Sequence, residues 1–366
     1  MFRSVTAFGS YVIREELGRG GMAVVFRAES RRPETYGQMV ALKRLRPANE
    51  FDVDFATIRS FIEEARLATR FRHPNIARTY ALGKADGSYF IEMEYVPGPT
   101  LYKVAKQTEA AGAVPIAIVG QILMQILDAL EHVHTLRDND GRPLELVHRD
   151  VSLSNIIVSN DGTVKLIDFG IVKGHSAQAP TEAGILKGKV AYIAPEYLTG
   201  AIDRRADLFA VGVIAHELLS SRRLFHVQND LETLVRVRTL RVPPPSRLRA
   251  DVPPALDAIV MRALARDPAA RWQSAPEMRA ALAELFGPIE HRQVAEYVDW
   301  AFQHATKPVM SQLIRVIDAL EQEPPPPPTV VAAARPVTAA SAVPYMVLSM
   351  LSALIAILLA GMYAIA

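Results

Sequence analysis

The stretch "LVHRDVSLSNIIVS", Leu146–Ser159, opens on an apolar pair, carries a polar centre and closes on an Ile-Ile-Val run of strand composition. Its centre sets Asp150 and Asn155 at a D-x-x-x-x-N spacing, and "LIDFG" places Asp168 about one hairpin further on. Two carboxylates and an amide are the groups that accept a hydroxyl proton and hold a hard divalent cation through oxygen. A single "DFG" means little, so the reading depends on what surrounds it.

Working upstream, residues from Tyr11 to about Tyr95 alternate short β-like runs with turns. "YVIREELG", "AVVFRAES" and "MVALKRL" have the branched and aromatic content of strands. "DFATIRSFIEEARLATRF" sets Phe55, Ile58, Ile62, Ala65 and Leu67 near helical spacing, and "HPN" closes that helix. Between the first two strands, "LGRGGMAVVF" offers Gly18, Gly20 and Gly21 behind Leu17; alone this is also what a glycine-rich β-turn looks like. Lys43 lies on a strand among apolar neighbours, with Glu63 and Glu64 on the following helix. The helix register favours Glu64 as its ion-pair partner.

Downstream, residues 101–286 turn mostly helical: "IAIVGQILMQILDALEHVHTL" is apolar enough for a buried helix, and "DLFAVGVIAHELL" reads as a second. The expected architecture is therefore α+β and two-lobed, with a small β-rich lobe at about 11–95 and a larger helical lobe at about 96–286.

Phosphoryl transfer needs a phosphate cradle, a positioned cation, magnesium ligands and a group that orients the attacking hydroxyl. The chain supplies each in order: glycine loop, Lys43, Glu64, "HRD…N", "DFG" and "APE". On these motifs residues 11–286 resemble a bacterial eukaryotic-type (Hanks-type) serine/threonine protein kinase. The resemblance implies a protein-kinase-like fold that uses ATP with Mg2+, or Mn2+ as a substitute metal. It implies Asp150 as the group receiving the hydroxyl proton, the Lys43–Glu64 pair as phosphate-orienting, and Asn155 and Asp168 as metal ligands. Leu17, Gly18, Gly20, Gly21, Val25, Ala41, Met93, Glu94 and Val96 would surround the nucleotide, with Met93 as gatekeeper and the main chain of Glu94 to Val96 on the adenine edge. Glu196 of "APE" and Arg271 of "RDPAARW" would form a buried pair, and Asp207 would hold the loop of Asp150 from beneath. A complete "APE" segment implies protein substrates.

The chain also departs from that pattern. Ala23 stands where a third glycine is expected, and Ser152 where the family carries a phosphate-touching lysine. Lys189, six residues before the "APE" proline, stands where a threonine is usual. The two sites read as exchanged, with Lys189 reaching toward Asp150 and Ser152 taking the hydroxyl's place; a solvated Lys189 beside Lys187 is the plainer alternative. Arg149 before the aspartate implies ordering by a phosphorylated activation segment, with Thr181 preferred over Ser176 and Tyr192 read as packing.

Formal charge is +2 with no basic block, which gives no case for nucleic acid as a partner. The absence of cysteine excludes disulfides and thiol chemistry. Residues 287–323 read as a helical appendix and 324–344, with "EPPPPP", as a Pro/Ala-rich linker. The last 22 residues, 345–366, carry no charged side chain and suffice for a transmembrane helix. The expectation is a single-pass inner-membrane protein with its kinase domain cytoplasmic, anchored in the lipid bilayer at its C-terminus, without an extracytoplasmic sensor domain unless one has been truncated. Ser349, Ala353, Ser352 and Ala356 are small residues four apart that would suit a homodimer. The competing reading of the whole is a non-catalytic, ATP-binding pseudokinase scaffold.

Overall fold

Strand and helix periods separate along the chain into two lobes. The computed structural model describes residues 6–46, 55–108, 113–169, 190–198, 200 and 202–304. The chain divides into one compact unit at Met1–Gln312 and another at Leu313–Ala366. The second unit, with the linker and apolar terminal segment, lies outside the described residues, as does the appendix beyond residue 304.

The N-terminal lobe is built on an antiparallel sheet in the order β1-β2-β3-β4-β6-β5, with one α-helix among the described residues. Its strands are β1 (Thr6–Phe8), β2 (Tyr11–Arg19), β3 (Ala23–Ser30), β4 (Met39–Leu45), β5 (Thr79–Ala85) and β6 (Ser88–Glu94), with α1 at Phe55–Ala68. The two-residue side-chain period gives the sheet two apolar faces. Phe8, Tyr11, Ala28, Val40, Leu42 and Phe90 cluster on one face, and Ala23, Leu45 and Ile91 meet α1 on the other. Lys43 pairs across the ladders with Val25 and Ile91, and Ala41 with Met93, so these side chains share the α1 face.

In α1 the buried positions are Phe61, Ala65 and Ala68, a stripe at i, i+4 and i+7. Phe55, expected on the apolar face, is 81% exposed. The face is set by packing against Ala23, Leu45 and Ile91, not by the first apolar residue in the period.

The C-terminal lobe contains α2 (Leu101–Thr108), α3 (Ile116–His134), the hairpin β7 (Ile156–Val158) and β8 (Val164–Leu166), α4 (Arg205–Ser220), α5 (Asp230–Thr239), α6 (Pro254–Ala263), α7 (Ala275–Phe286) and α8 (His291–His304). By length and composition α3 could cross a membrane, yet most of its apolar stretch is buried against the rest of the lobe. Truncating a fully buried leucine there, such as Leu127, removes about 2–5 kcal/mol of stability.

Two sets of hydrogen bonds help to stitch the lobes together. Asn75 of "HPN" donates to the Val164 carbonyl (2.9 Å) and to Gln125 Oε1 (3.0 Å), and Leu166 N donates to the Asn75 carbonyl (2.9 Å). The second lies at the crossing after β6, where Val158 N bonds the Pro99 carbonyl (3.0 Å) and Asn160 N the Pro97 carbonyl (2.9 Å). Gly98 sits there at φ +154°, and an added Cβ would lie 2.0 Å from the Val158 carbonyl oxygen, so only glycine fits. Beyond α7, Gln121 of α3 donates to the Pro288 carbonyl (3.0 Å) and accepts from Glu290 N (2.8 Å), seating the entry to α8.

Candidate active site

Where the lobes face each other, the sheet presents Lys43 among apolar neighbours. Lys43 Nζ donates to Glu64 Oε1 at 2.7 Å and to Asp168 Oδ1 at 3.0 Å. Burial by itself would lower the lysine pKa, but the Asp168 and Glu64 carboxylates outweigh it and push it well up, so the ammonium stays charged. Glu63 turns outward to Arg59 at 2.9 Å, four residues away on the same helix. The structure thus brings Lys43, Glu64 and Asp168 together from a strand, a helix and the segment after β8.

Asp168 adopts φ +54° and Arg149 φ +65°, left-handed conformations that cost a side-chain-bearing residue energy and persist only where the surroundings hold them. At Asp168 that role falls to its neighbour Phe169, 5% exposed, whose ring stacks on Phe71 (4.4 Å) and lies against His148 (4.6 Å). At Arg149 it falls to Asp207 on α4, which accepts from His148 N (2.8 Å), Arg149 N (2.9 Å) and His134 Nε2 (2.8 Å). Burial would raise the Asp207 pKa, but the His134 hydrogen bond and the neighbouring backbone donors prevail and hold it below the usual carboxylate range.

Within the loop, Asn155 Nδ2 donates to the Asp150 carbonyl at 2.9 Å, which leaves Oδ1, the oxygen a hard cation prefers, on the opposite side of the amide. Ser152 is 1% exposed, and its Oγ lies 3.0 Å from Ser154 Oγ. Lys189, Lys187, Thr181 and Ser176 lie outside the described residues. Arg149 has Nε and Nη1 buried without a hydrogen-bond partner among the described residues.

The glycine loop is the β2–β3 turn, closed by Gly20 N to the Ala23 carbonyl at 2.8 Å, with Gly18 paired opposite Val25. A Cβ added at Gly18 or Gly21 would meet nothing within 4 Å, and neither has a left-handed φ. The fold itself therefore does not require glycine there, which suits a backbone approached from outside by a phosphate chain. Leu17 is 43% exposed beside it, while Ala41 and Val96 are buried. The Glu94 side chain turns away to Lys165 (3.0 Å), and its backbone N–H donates to the Arg78 carbonyl (2.7 Å).

Below the loop, Arg271, wholly buried, forms a two-pronged pair with Glu196 at 2.6 and 2.7 Å and donates to the carbonyls of Ala265, Arg205 and Arg266. The contacts of Phe71, His148 and His134 around Phe169 and Asp207 had no signal in the sequence. "HPN" was legible only as a helix stop, whereas Asn75 ties the lobes.

The chain belongs to the protein kinase domain family, which matches residues 11–283. It is 38% identical over 279 residues to "Tyrosine-protein kinase MasK" of Myxococcus xanthus (strain DK1622), covering 75% of this chain and 43% of that protein. It is 33% identical over 279 residues to "Serine/threonine-protein kinase PrkC" of Bacillus subtilis (strain 168), covering 76% and 41%. The solved Mycobacterium tuberculosis PknI kinase domain superposes with a TM-score of 0.56 at 29% identity, covering 78% of this chain and 99% of that one. The chain spans less than half the length of these two curated relatives.

Proposed function

We propose that this chain is a protein serine/threonine kinase that transfers the ATP γ-phosphate to hydroxyls of protein substrates and to itself. The observation that carries this reading is the Lys43 ammonium held between Glu64 and Asp168, in a lobe stitched to the loop of Asp150 and Asn155. In this assignment Asp150 receives the hydroxyl proton, and Lys43, oriented by Glu64, meets the phosphates. Asn155 and Asp168 hold Mg2+, which when bound neutralises the developing phosphate charge. Among the described residues no cluster of three or more His, Cys, Asp or Glu side chains forms a metal cage, and magnesium carried on phosphates needs only one or two protein oxygens. Gly18, Gly20 and Gly21 line the phosphates, and Leu17, Val25, Ala41, Met93, Glu94 and Val96 the adenine.

Ser152 and Lys189 form the exchanged pair, with Lys189 supplying the phosphate-touching ammonium. The Arg149 nitrogens that have no hydrogen-bond partner among the described residues support an activation segment ordered by phosphate, for which Thr181 is the preferred acceptor. The catalytic domain spans 11–286, followed by an appendix at 287–323, a linker at 324–344 and a membrane helix at 345–366. That helix would hold the kinase at the cytoplasmic face of the membrane and support homodimers through its small residues.

The test is full-length protein in detergent with radiolabelled ATP and Mg2+, followed by phosphoamino-acid analysis. Label on serine or threonine, absent from Asp150→Asn, is expected. Phosphotyrosine alone would reassign the acceptor to the class named for the Myxococcus relative. Equal inactivity of both proteins would favour the scaffold.

A further inference from the structure

Beside the loop of Asp150, α2, Leu153–Ser154, Tyr192 and the C-terminal end of α4 enclose a cavity of about 450 Å3. Its wall is apolar at Ala105, Leu153 and Leu218, and its rim is basic at Lys106, Arg222 and Arg223. The described lining contains one carboxylate, Glu217, and that carboxylate is already satisfied. It accepts from Tyr192 Oη (2.8 Å), Arg223 Nη1 (3.0 Å) and Leu224 N (3.0 Å), and its side chain is 2% exposed. Arg223 is itself fixed over the rings of Tyr102 (5.7 Å) and Tyr192 (5.6 Å). Lys106 and Arg222 are exposed, and neither forms an ion pair among the described residues.

The electrostatics have one sign. Among the described lining residues an incoming arginine or lysine finds no carboxylate but Glu217, already paired with Arg223, and meets Lys106 and Arg222, a repulsive element that selects against basic segments. An incoming carboxylate finds exposed ammonium and guanidinium donors, and the apolar wall takes its methylenes. Leu153 and Ser154 follow Asp150 by three and four residues. Four extended residues reach at most about 14 Å, so a segment with its hydroxyl at Asp150 brings near neighbours over the cavity.

We infer that this cavity is the subsite that selects the protein substrate, and that it takes an acidic side chain within about four residues of the phosphorylated hydroxyl. The inference rests on the kinase reading above. With the one carboxylate of the described lining paired to Arg223, the charge of Lys106 and Arg222 commits the site to an acidic peptide segment.

The experiment uses the full chain in detergent and neutral peptides with one serine, in which Glu or Arg is walked across the four positions on each side. At one or more positions Glu exceeds Arg in kcat/KM by about tenfold, equivalent to about 1.4 kcal/mol. The difference lies in KM and shrinks as salt rises. In the Lys106→Glu, Arg222→Glu variant the Glu-to-Arg ratio falls below one. Because the ratio is internal to each preparation, partial misfolding does not move it. Equal use of Glu and Arg peptides, or a ratio unchanged in the variant, overturns the proposal, as does autophosphorylation without use of any peptide. Failure of the kinase reading is a different result: no transfer to any acceptor, itself included, with Asp150→Asn indistinguishable.

Discussion

Phe169 and Phe71 stack with ring centroids 4.4 Å apart and planes 29° from parallel. The contact couples the backbone of Asp168 to the segment just past α1, so Asp168 and the Lys43–Glu64 pair are positioned through one aromatic pair. Phe71→Ala should cost about 3–5 kcal/mol in urea unfolding, as a buried ring replaced by a cavity does. At temperatures where the variant remains folded, its kcat should fall more than its ATP affinity. Phe71→Leu, which fills most of the volume, should recover the greater part of both.

Removing the cation between two carboxylates has a second effect beyond the lost phosphate contact. In Lys43→Met, Glu64 and Asp168 are left facing each other without the ammonium that separates them. Phosphoryl transfer should become undetectable in initial-rate assays. Glu64→Gln, which keeps an oxygen but loses the charge, should lower kcat/KM by about 100-fold, the scale of a misplaced reacting group.

The Arg271–Glu196 pair should behave as a buried ion pair whose partners are costly to strand. Arg271→Met should destabilise by about 3–5 kcal/mol in denaturant melts, because the buried Glu196 carboxylate loses its two-pronged guanidinium. Adding Glu196→Leu should return part of that loss, since no charge is then left unpaired. A double variant less stable than the single one would show that the carbonyls around Arg271 dominate.

His73 and His132 stack at 5.3 Å, and each accepts a backbone N–H that only a neutral ring nitrogen can receive: Asn75 N to His73 Nδ1 (3.2 Å) and Arg72 N to His132 Nε2 (3.3 Å). Burial lowers both pKa values. The unfolded chain therefore binds more protons, and stability must rise with pH across this window. It should be fully present above the unfolded imidazole pKa near 6.5 and decline as pH falls through the folded values. Melting temperatures from pH 7.5 to 5 should drop, and His132→Asn should flatten that slope.

The exchanged pair has its own test. Lys189→Ala should strongly reduce autophosphorylation, and adding Ser152→Lys should restore it. Near wild-type activity in the single variant would assign the phosphate-touching role elsewhere.

The short motifs were legible because the chemistry confines residue types to a few adjacent positions. Asp150 with Asn155, and "DFG" with "APE", declare themselves without knowledge of the fold. Contacts between distant segments were not legible. Nothing near Glu217 in the sequence says that Arg223 folds back to neutralise it, and nothing near Phe71 says that it meets Phe169. The period of α1 suggested a buried Phe55, whereas the stripe that packs is Phe61, Ala65 and Ala68. Local pattern gives a helix; its orientation comes from the sheet laid against it.

Asp207 grips the loop of Asp150 through the backbone amides of His148 and Arg149 and not through any side chain that faces the cleft. A scaffold that reads main chain is indifferent to what the loop displays. This anchor therefore does not itself distinguish a serine from a lysine at position 152. The same arrangement leaves an exposed loop position such as Ser154 open to re-engineering on a backbone held from below.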